Sequence, residues 1–402
     1  MVENSSVIRI SQRIRKIKPS FTLEMAAKAM ELRAQGVDVI NFSVGEPDFN
    51  TPANIISAAK QAMDDGFTKY TAGAGMPELR QAICRKLARE NGIDARPDQI
   101  VVSNGEKHSL YNACQTMFED GDQVIIFKPY WVSFPEFVSL ADAEAVFVNT
   151  LPDRRFEPDF DDLASKITDR TKGLIINTPS NPSGGVWSDA AVRRLLELAA
   201  KHNWTVIADE CYERLVYGDP FVSAVNLNEA SARIITCLSL SKTYAMTGWR
   251  IGYSYSDAKI AKAMAKFQGQ ATSCPNSIGQ KAAIEALDGD QSAVEKMRQT
   301  FQQRRDLMVR LLNEIPGISC ALPGGAFYAF PNMSAYLGKK AAGKVLEDSF
   351  DLGNYLLEEA QVVSVPGDGF GAPGHIRFSF ATNLENIREG INRIAKVLQE
   401  LE

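Results

Sequence analysis

Four apolar runs, residues 100–103, 173–177, 205–209 and 234–240, each stop abruptly at polar residues, and helical periodicity fills the stretches near them. Ser188 can cap a helix whose apolar positions Val192, Leu195, Leu196 and Ala199 keep helical spacing, with GLIIN (173–177) before it and TVIAD (205–209) after it. Strand, helix and strand in that order form a crossover unit, and runs apolar on both faces belong to a buried parallel sheet. Another helix follows Gly105, with Leu110, Ala113, Cys114, Met117 and Phe118 on one face, and leads to a further strand over 123–127. The expectation is an α/β fold with a mostly parallel sheet flanked by helices. From about residue 303 the pattern changes. GGAFYAF (324–330), a short strand over 376–380 and a final helix with Leu384, Ile387, Ile391, Ile394 and Leu398 on one stripe predict a smaller α+β unit.

With 402 residues the chain is long enough for two domains, and its formal charge of −5 without a basic stripe argues against nucleic acid as a partner. No apolar run reaches membrane-spanning length, and the start, MVENSSVIRISQRIRK, lacks the apolar stretch of a secretory signal. Six cysteines without C-x-x-C or zinc spacing read as free thiols in a reducing compartment, so a cytoplasmic location is expected. None of the three histidines, His108, His202 and His375, has triad company, so an acid–base enzyme of this sequence would use another base. Gly367, Gly369 and Ala372 match G-x-G-x-x-A, but Pro373 follows and no helix starts there, so a turn is predicted instead of a dinucleotide site.

In open α/β sheets ligands sit beyond the carboxyl ends of the strands. The four runs deliver Asn104-Gly105, the loop TPSNPSGG, Asp209 to Tyr212, and Ser241-Lys242 to that edge. Lys242 has Ser239 three residues before it and Arg250 eight after it. Together they offer an amine for a covalent link and a hydroxyl and a guanidinium for a phosphate, the set that pyridoxal phosphate requires. The turn Gly105-Glu106-Lys107 opens a helix, whose free N–H groups and dipole favour an anion. Asp209 ends a buried-looking strand. It either pairs with a protonated ring nitrogen or serves as a cap or salt-bridge partner. Tyr212 and Asn181 have the chemistry to bond a ring oxygen, and Trp131 either stacks on a ring or belongs to the core. On the second unit, Arg377 alternates with Ile376 and Phe378 and faces away from them, to grip a carboxylate or form a surface ion pair.

These segments, with KPSFT, VGEPDFNTP, TKYTAGAGMPELR, NGEKHSLYN, PYWVSFPE, ADECYERLVY, SLSKTYAMTGWRIGY and IRFSFAT, make the chain resemble the class I aminotransferases of pyridoxal-phosphate fold type I. The likeness is to their bacterial-type aspartate aminotransferase subgroup and runs from about Lys18 to the last helix. The resemblance implies a large domain over 48–290 carrying a mostly parallel seven-stranded sheet. It implies a small domain from 1–47 and 291–402, with the helix from about residue 22 packed there, and a homodimer with shared active sites. It assigns the covalent link to Lys242, the ring nitrogen to Asp209, the ring oxygen to Asn181 and Tyr212, and stacking to Trp131. Phosphate contacts fall to Ser239, Arg250 and the backbone of Gly105 and Glu106 beside Lys107, with Tyr70 reaching in from the partner subunit. Arg377 and the backbone of Gly45 would take the substrate α-carboxylate, beside Trp131 and Asn181. Lys107 would take a side-chain carboxylate, and Lys18 would lie near the entrance.

The reaction implied is transfer of an amino group from an L-amino acid, aspartate first, to 2-oxoglutarate. Aromatic amino acids or prephenate come next, and a lyase or oxidase on the same scaffold after them. Three positions depart from the family pattern. Glu106 stands where Gly or Ala is usual, and its carboxylate must point away from the phosphate to avoid repelling it and partly neutralising Lys107. Phe21 replaces a smaller residue, and GGVW replaces a GAVY-like stretch.

Overall fold

The computed structural model describes residues 8–18, 21–341 and 343–402; Pro19 and Ser20 of the KPSFT segment and the first seven residues lie outside the described residues. Seven strands form the central sheet: β1 (Ile100–Asn104), β2 (Gln123–Phe127), β3 (Glu144–Val148), β4 (Thr171–Asn177), β5 (Thr205–Asp209), β6 (Arg233–Ser239) and β7 (Ile251–Ser256). Their order is β1-β7-β6-β5-β4-β2-β3, and only β7 runs antiparallel to its neighbours.

Alternation along each strand divides two cores. Val124, Ile126, Ile175, Ile207 and Ile235 bury one face against Leu110, Ala113 and Cys114 of helix α2 (Glu106–Met117). Ile125, Leu174, Ile176, Val206 and Ala208 bury the other against Val192, Leu195, Leu196 and Ala199 of α3 (Asp189–His202). The expected Ser188 cap is present, its Oγ accepting from the Ala191 N–H at 3.3 Å. Strand register levels the polar ends: Asn177 lies beside Asp209, and Gly252 lies between Ser103 and Ser239. A Cβ on Gly252 would sit 2.2 Å from the Glu106 nitrogen, so only glycine lets the first turn of α2 close onto β7.

A separate core gathers Phe301, Phe327, Phe378, Phe380, Ile387 and Ile391. It lies between α5 (Ser292–Asn313), α6 (Leu384–Leu398) and a three-stranded sheet of β8 (Tyr328–Ala329), β10 (Ile376–Ser379) and β9 (Val365–Pro366). Helix α1 (Phe21–Ala34) packs Ala29 against Leu357 and Val363, which agrees with the expected pairing of the N-terminal helix with the C-terminal region.

Three local expectations need correction. The strand over 324–330 shrinks to Tyr328–Ala329, because Ala326 takes a left-handed φ of 57° and Gly325 makes only an isolated bridge to Val216. Leu384 is 43% exposed at the first position of α6, so the buried stripe begins at Ile387. Leu240 opens the short helix α4 (Leu240–Thr243), because the Ser239 Oγ accepts from the Ser241 N–H and caps it. Residues 367–370 form a turn as expected, and all six cysteines are free. No helix among the described residues is long and apolar enough to cross a membrane.

Candidate active site

A cavity of about 640 Å³ lies at the carboxyl ends of β4, β5 and β6. Its lining includes Asn181, Asp209, Tyr212, Ser239 and Lys242 from that edge, Glu106 and Lys107 from α2, and Gly45, Trp131, Arg250 and Arg377 from elsewhere in the chain. One end is cationic. Gly105 caps α2 at φ +82°, and a Cβ there would lie 2.3 Å from the Arg250 guanidinium, which therefore rests against the helix start. Arg250 itself sits at a left-handed φ of 56°, with Nη1 donating to the Thr247 carbonyl at 2.7 Å. Ser239 uses its oxygen to cap α4 and keeps its hydroxyl proton available. Free N–H groups of the α2 first turn, a guanidinium and a hydroxyl form a cradle for a phosphate-like anion.

Lys242 is half-buried and donates to the Gly45 carbonyl at 2.5 Å. Burial chiefly lowers its pKa, with Arg250 adding to the effect and Cys211, Glu46 and Glu106 opposing it. Burial first, then Arg250 and Lys242, also lower the pKa of Lys107, whose Nζ lies 5.0 Å over the Trp131 ring. An amine with a depressed pKa is a better nucleophile and base near neutrality.

The opposite end is acidic. Asp209 is 4% exposed, accepts from the Cys211 N–H at 3.1 Å, and is pushed up to about 6 by burial against hydrogen bonds from Cys211, Glu106 and Asn177. Glu106 points to this end and away from the cationic cradle, and it is not among the groups that perturb Lys107. The feared neutralisation of Lys107 therefore does not arise. A buried carboxylate at one end and an anion cradle at the other match a group with a cationic ring atom and an anionic arm.

Arg377 forms the third wall. It is 3% exposed, with Nη1 donating to the Asn181 Oδ1 at 2.9 Å and Nη2 to the Ser43 carbonyl at 2.8 Å. Its guanidinium lies 4.5 Å over the Tyr328 ring and 5.2 Å over Phe370. Its Nε has no partner, and among the described residues its hydrogen bonds go to an amide oxygen and a carbonyl rather than to a carboxylate. A buried guanidinium without a counter-ion selects an anionic ligand. The surface ion pair weighed for Arg377 is thereby replaced by a buried, unpaired cation. Tyr212 meets the Tyr328 hydroxyl at 2.9 Å beside it.

Tyr70 is expected at the partner subunit's site and Lys18 near the entrance, so neither has to line this chain's own cavity. Tyr70 is 89% exposed and does not line it. Lys18 is exposed, and its backbone N–H donates to the Glu136 Oε2 at 3.3 Å. Phe21 packs edge-on against Phe370 at 5.4 Å and so braces the ring beneath Arg377. Trp187 of GGVW is core, its indole donating to the Phe156 carbonyl at 2.7 Å. Sequence reasoning missed Cys211, Asn177 and Tyr328, which line the same cavity. Cys211 and Asn177 were legible in principle, since both lie at or just past strand ends already singled out.

The pattern of the family described as "Aminotransferase class I and II" matches residues 37–394. The aspartate/prephenate aminotransferase of Nitrosomonas europaea is 44% identical and covers 97% of this chain and 100% of its own. The aspartate aminotransferase of Geobacillus stearothermophilus is 43% identical over 98% of this chain and 99% of its own. Among solved structures, the aspartate aminotransferase of Rhizobium meliloti superposes with a TM-score of 0.94 at 41% identity, covering 98% of this chain and 100% of its own. That of Thermus thermophilus with maleate superposes with a TM-score of 0.91 at 40% identity, covering 97% and 100%.

Proposed function

This chain belongs to the class I and II aminotransferase family, and from that premise we propose that it moves the amino group of L-aspartate to 2-oxoglutarate in two half-reactions with pyridoxal phosphate as cofactor. The observation that carries the reading is the buried, counter-ion-free Arg377 in the same cavity as the low-pKa Lys242 and the buried Asp209. When bound, the cofactor supplies an electron sink for the substrate's α-carbon. Ser239, Arg250 and the first turn of α2 hold its phosphate, and Asp209 holds its ring nitrogen in the charged form. Asn181 and Tyr212 bond its ring oxygen, and Trp131 covers one face. Lys242 would anchor it, and its amine would carry a proton away from the substrate α-carbon. Arg377, with the backbone at Gly45, fixes the α-carboxylate and so orients the bond that breaks.

Residues 48–290 form the larger domain in this reading, with 1–47 and 291–402 the smaller. Two copies share their sites, the exposed Tyr70 of one reaching the phosphate of the other. The six free thiols agree with a cytoplasmic setting. Lys107 supplies the preference for a dicarboxylic substrate, because a second carboxylate relieves its repulsion from Arg250 and Lys242. Prephenate is the second reading, resting on the name of the Nitrosomonas europaea relative.

The test is the absorbance of cofactor-loaded protein titrated with L-aspartate and no acceptor. Conversion to the pyridoxamine form is expected; a spectrum that ignores aspartate but responds to an aromatic amino acid refutes aspartate as substrate. Lys107→Ala is expected to lower kcat/KM for aspartate about 10–100-fold, the worth of one charge-assisted contact, and to spare aromatic substrates. Equal losses for both classes refute the assigned role.

A further inference from the structure

Glu106 is a buried carboxyl in the wall of the cavity whose side chain the reaction above leaves without a task. It opens α2, yet its side chain is only 6% exposed and runs inward. Its carboxylate, that of Asp209 and the Cys211 Sγ lie within 4.8 Å of one another. Oε1 has no partner, and the carboxylate faces the Asp209 carboxylate and the Cys211 thiol. Two carboxylates this close in a buried site repel when both are ionised, which favours one proton held between them.

We propose that Glu106 is a positioning residue that shares one proton with Asp209, so that the buried pair carries a single negative charge and Asp209 presents the ionised carboxylate to the cofactor ring. This rests on the pyridoxal-phosphate reading. The proton belongs on Glu106, because Asp209 accepts from the Cys211 N–H at 3.1 Å and so has a donor for its anion, whereas the Glu106 Oε1 has none. Burial, then the neighbouring Asp209, drive Glu106 well above the ordinary carboxylate range, whereas the Glu106 hydrogen bond draws Asp209 down. The titratable groups around the pair come from several elements, with Glu46 and Tyr212 also lining the cavity. Asp209 and Cys211 face Glu106 from the end of β5, Cys237 from β6 and Lys242 from α4, while Lys107 and Arg250 line the same cavity. Both thiols are pushed well above their ordinary range by burial first, so they are neutral and cannot replace the acid. A neutral acid donating to Asp209 stabilises its anion without adding charge. It also weakens Asp209 as a base, which limits its hold on the ring-nitrogen proton.

The experiment compares wild type, Glu106→Gln and Glu106→Leu as apoproteins, measuring pyridoxal phosphate affinity across the acid and neutral range. Gln keeps a donor, and Leu fills the volume without one. Below its pKa Asp209 is protonated and its attraction for the charged ring nitrogen is lost, so affinity falls on the acid side. Ionisation of the cofactor's own phosphate is common to all three proteins. The acid limb of Glu106→Leu is expected to lie about one pH unit higher than wild type, about tenfold weaker binding on the slope, with Glu106→Gln close to wild type. A Leu limb that coincides with wild type overturns the proposal, as does a Gln limb displaced as far as that of Leu. The infrared difference between wild type and Glu106→Gln at neutral pH is expected to show one neutral carboxylic acid; its absence overturns the shared proton. Glu210, a second buried carboxyl raised to about 8, cancels in that difference. A wild type that takes up no cofactor overturns the functional reading instead, and the infrared difference still decides the proton.

Discussion

Lys242→Ala is expected to abolish turnover and leave the protein folded. The amine sits where β6 passes into α4, within reach of the Gly45 carbonyl on the facing wall. Lys107, the other amine lining the cavity, is held over the Trp131 ring and cannot take its place. Loss of Lys242 removes both the covalent attachment and the group that moves the α-proton. Positioned proton transfer alone typically contributes ~10²–10⁴-fold, so kcat is expected to fall by about 10⁴-fold or more once the attachment is lost too. Stability should change little, within about 1 kcal/mol, because the ammonium makes one hydrogen bond and its burial already works against its charge. Single-turnover kinetics, the cofactor absorbance band and a thermal melt together decide the matter. Turnover at the wild-type level in a folded variant removes Lys242 from the mechanism.

What the sequence could disclose follows from which interactions are local. Strands 123–127 and 205–209 were legible to the residue because their apolar runs are sharply bounded, by Gly121-Asp122 and Lys128 in the first and by Asp209 in the second, and hydrophobic period is a local property. The polar ends of those runs placed Asp209, Ser239 and Lys242 at one edge for the same reason. The strand over 324–330 misled because its apolar composition hides the left-handed turn at Ala326, which depends on the Tyr217 hydroxyl donating to the Ala326 carbonyl from a distant segment. The destination of Glu106 was equally hidden. The charge argument required its carboxylate to point away from the phosphate but gave no destination; α2 starts against Gly252, and the side chain turns to Asp209. The aromatic wall around Arg377 joins Phe21, Tyr328 and Phe370, three segments with no periodic relation. The family resemblance supplied the role of Arg377, and only the fold shows why its guanidinium lacks a counter-ion.

Arg377→Leu is the second large effect, expected on every amino-acid substrate alike. The guanidinium spends Nη1 on Asn181 and Nη2 on Ser43, lies against the Tyr328 and Phe370 rings, and keeps Nε unpaired. Burial lowers its pKa, with Tyr328 and Tyr212 opposing, so the charge is held at a cost that a bound carboxylate relieves. Hydrogen bonds to charged groups contribute about 1.5–3 kcal/mol each, and a two-point grip places the loss in kcat/KM at roughly 10²–10⁴-fold. Lysine should not restore it, because a point charge cannot reproduce the planar fork. Leucine also leaves the Asn181 Oδ1 and the Ser43 carbonyl without their donor, so a stability loss of about 1–3 kcal/mol is expected and must be separated from the effect on binding. A substrate amine without a carboxylate provides that separation. Wild type should favour the amino acid over the amine by the full factor, and Arg377→Leu should lose the preference while retaining its activity on the amine. A variant that keeps the wild-type ratio refutes Arg377 as the α-carboxylate anchor, however stable or unstable the folded chain proves to be.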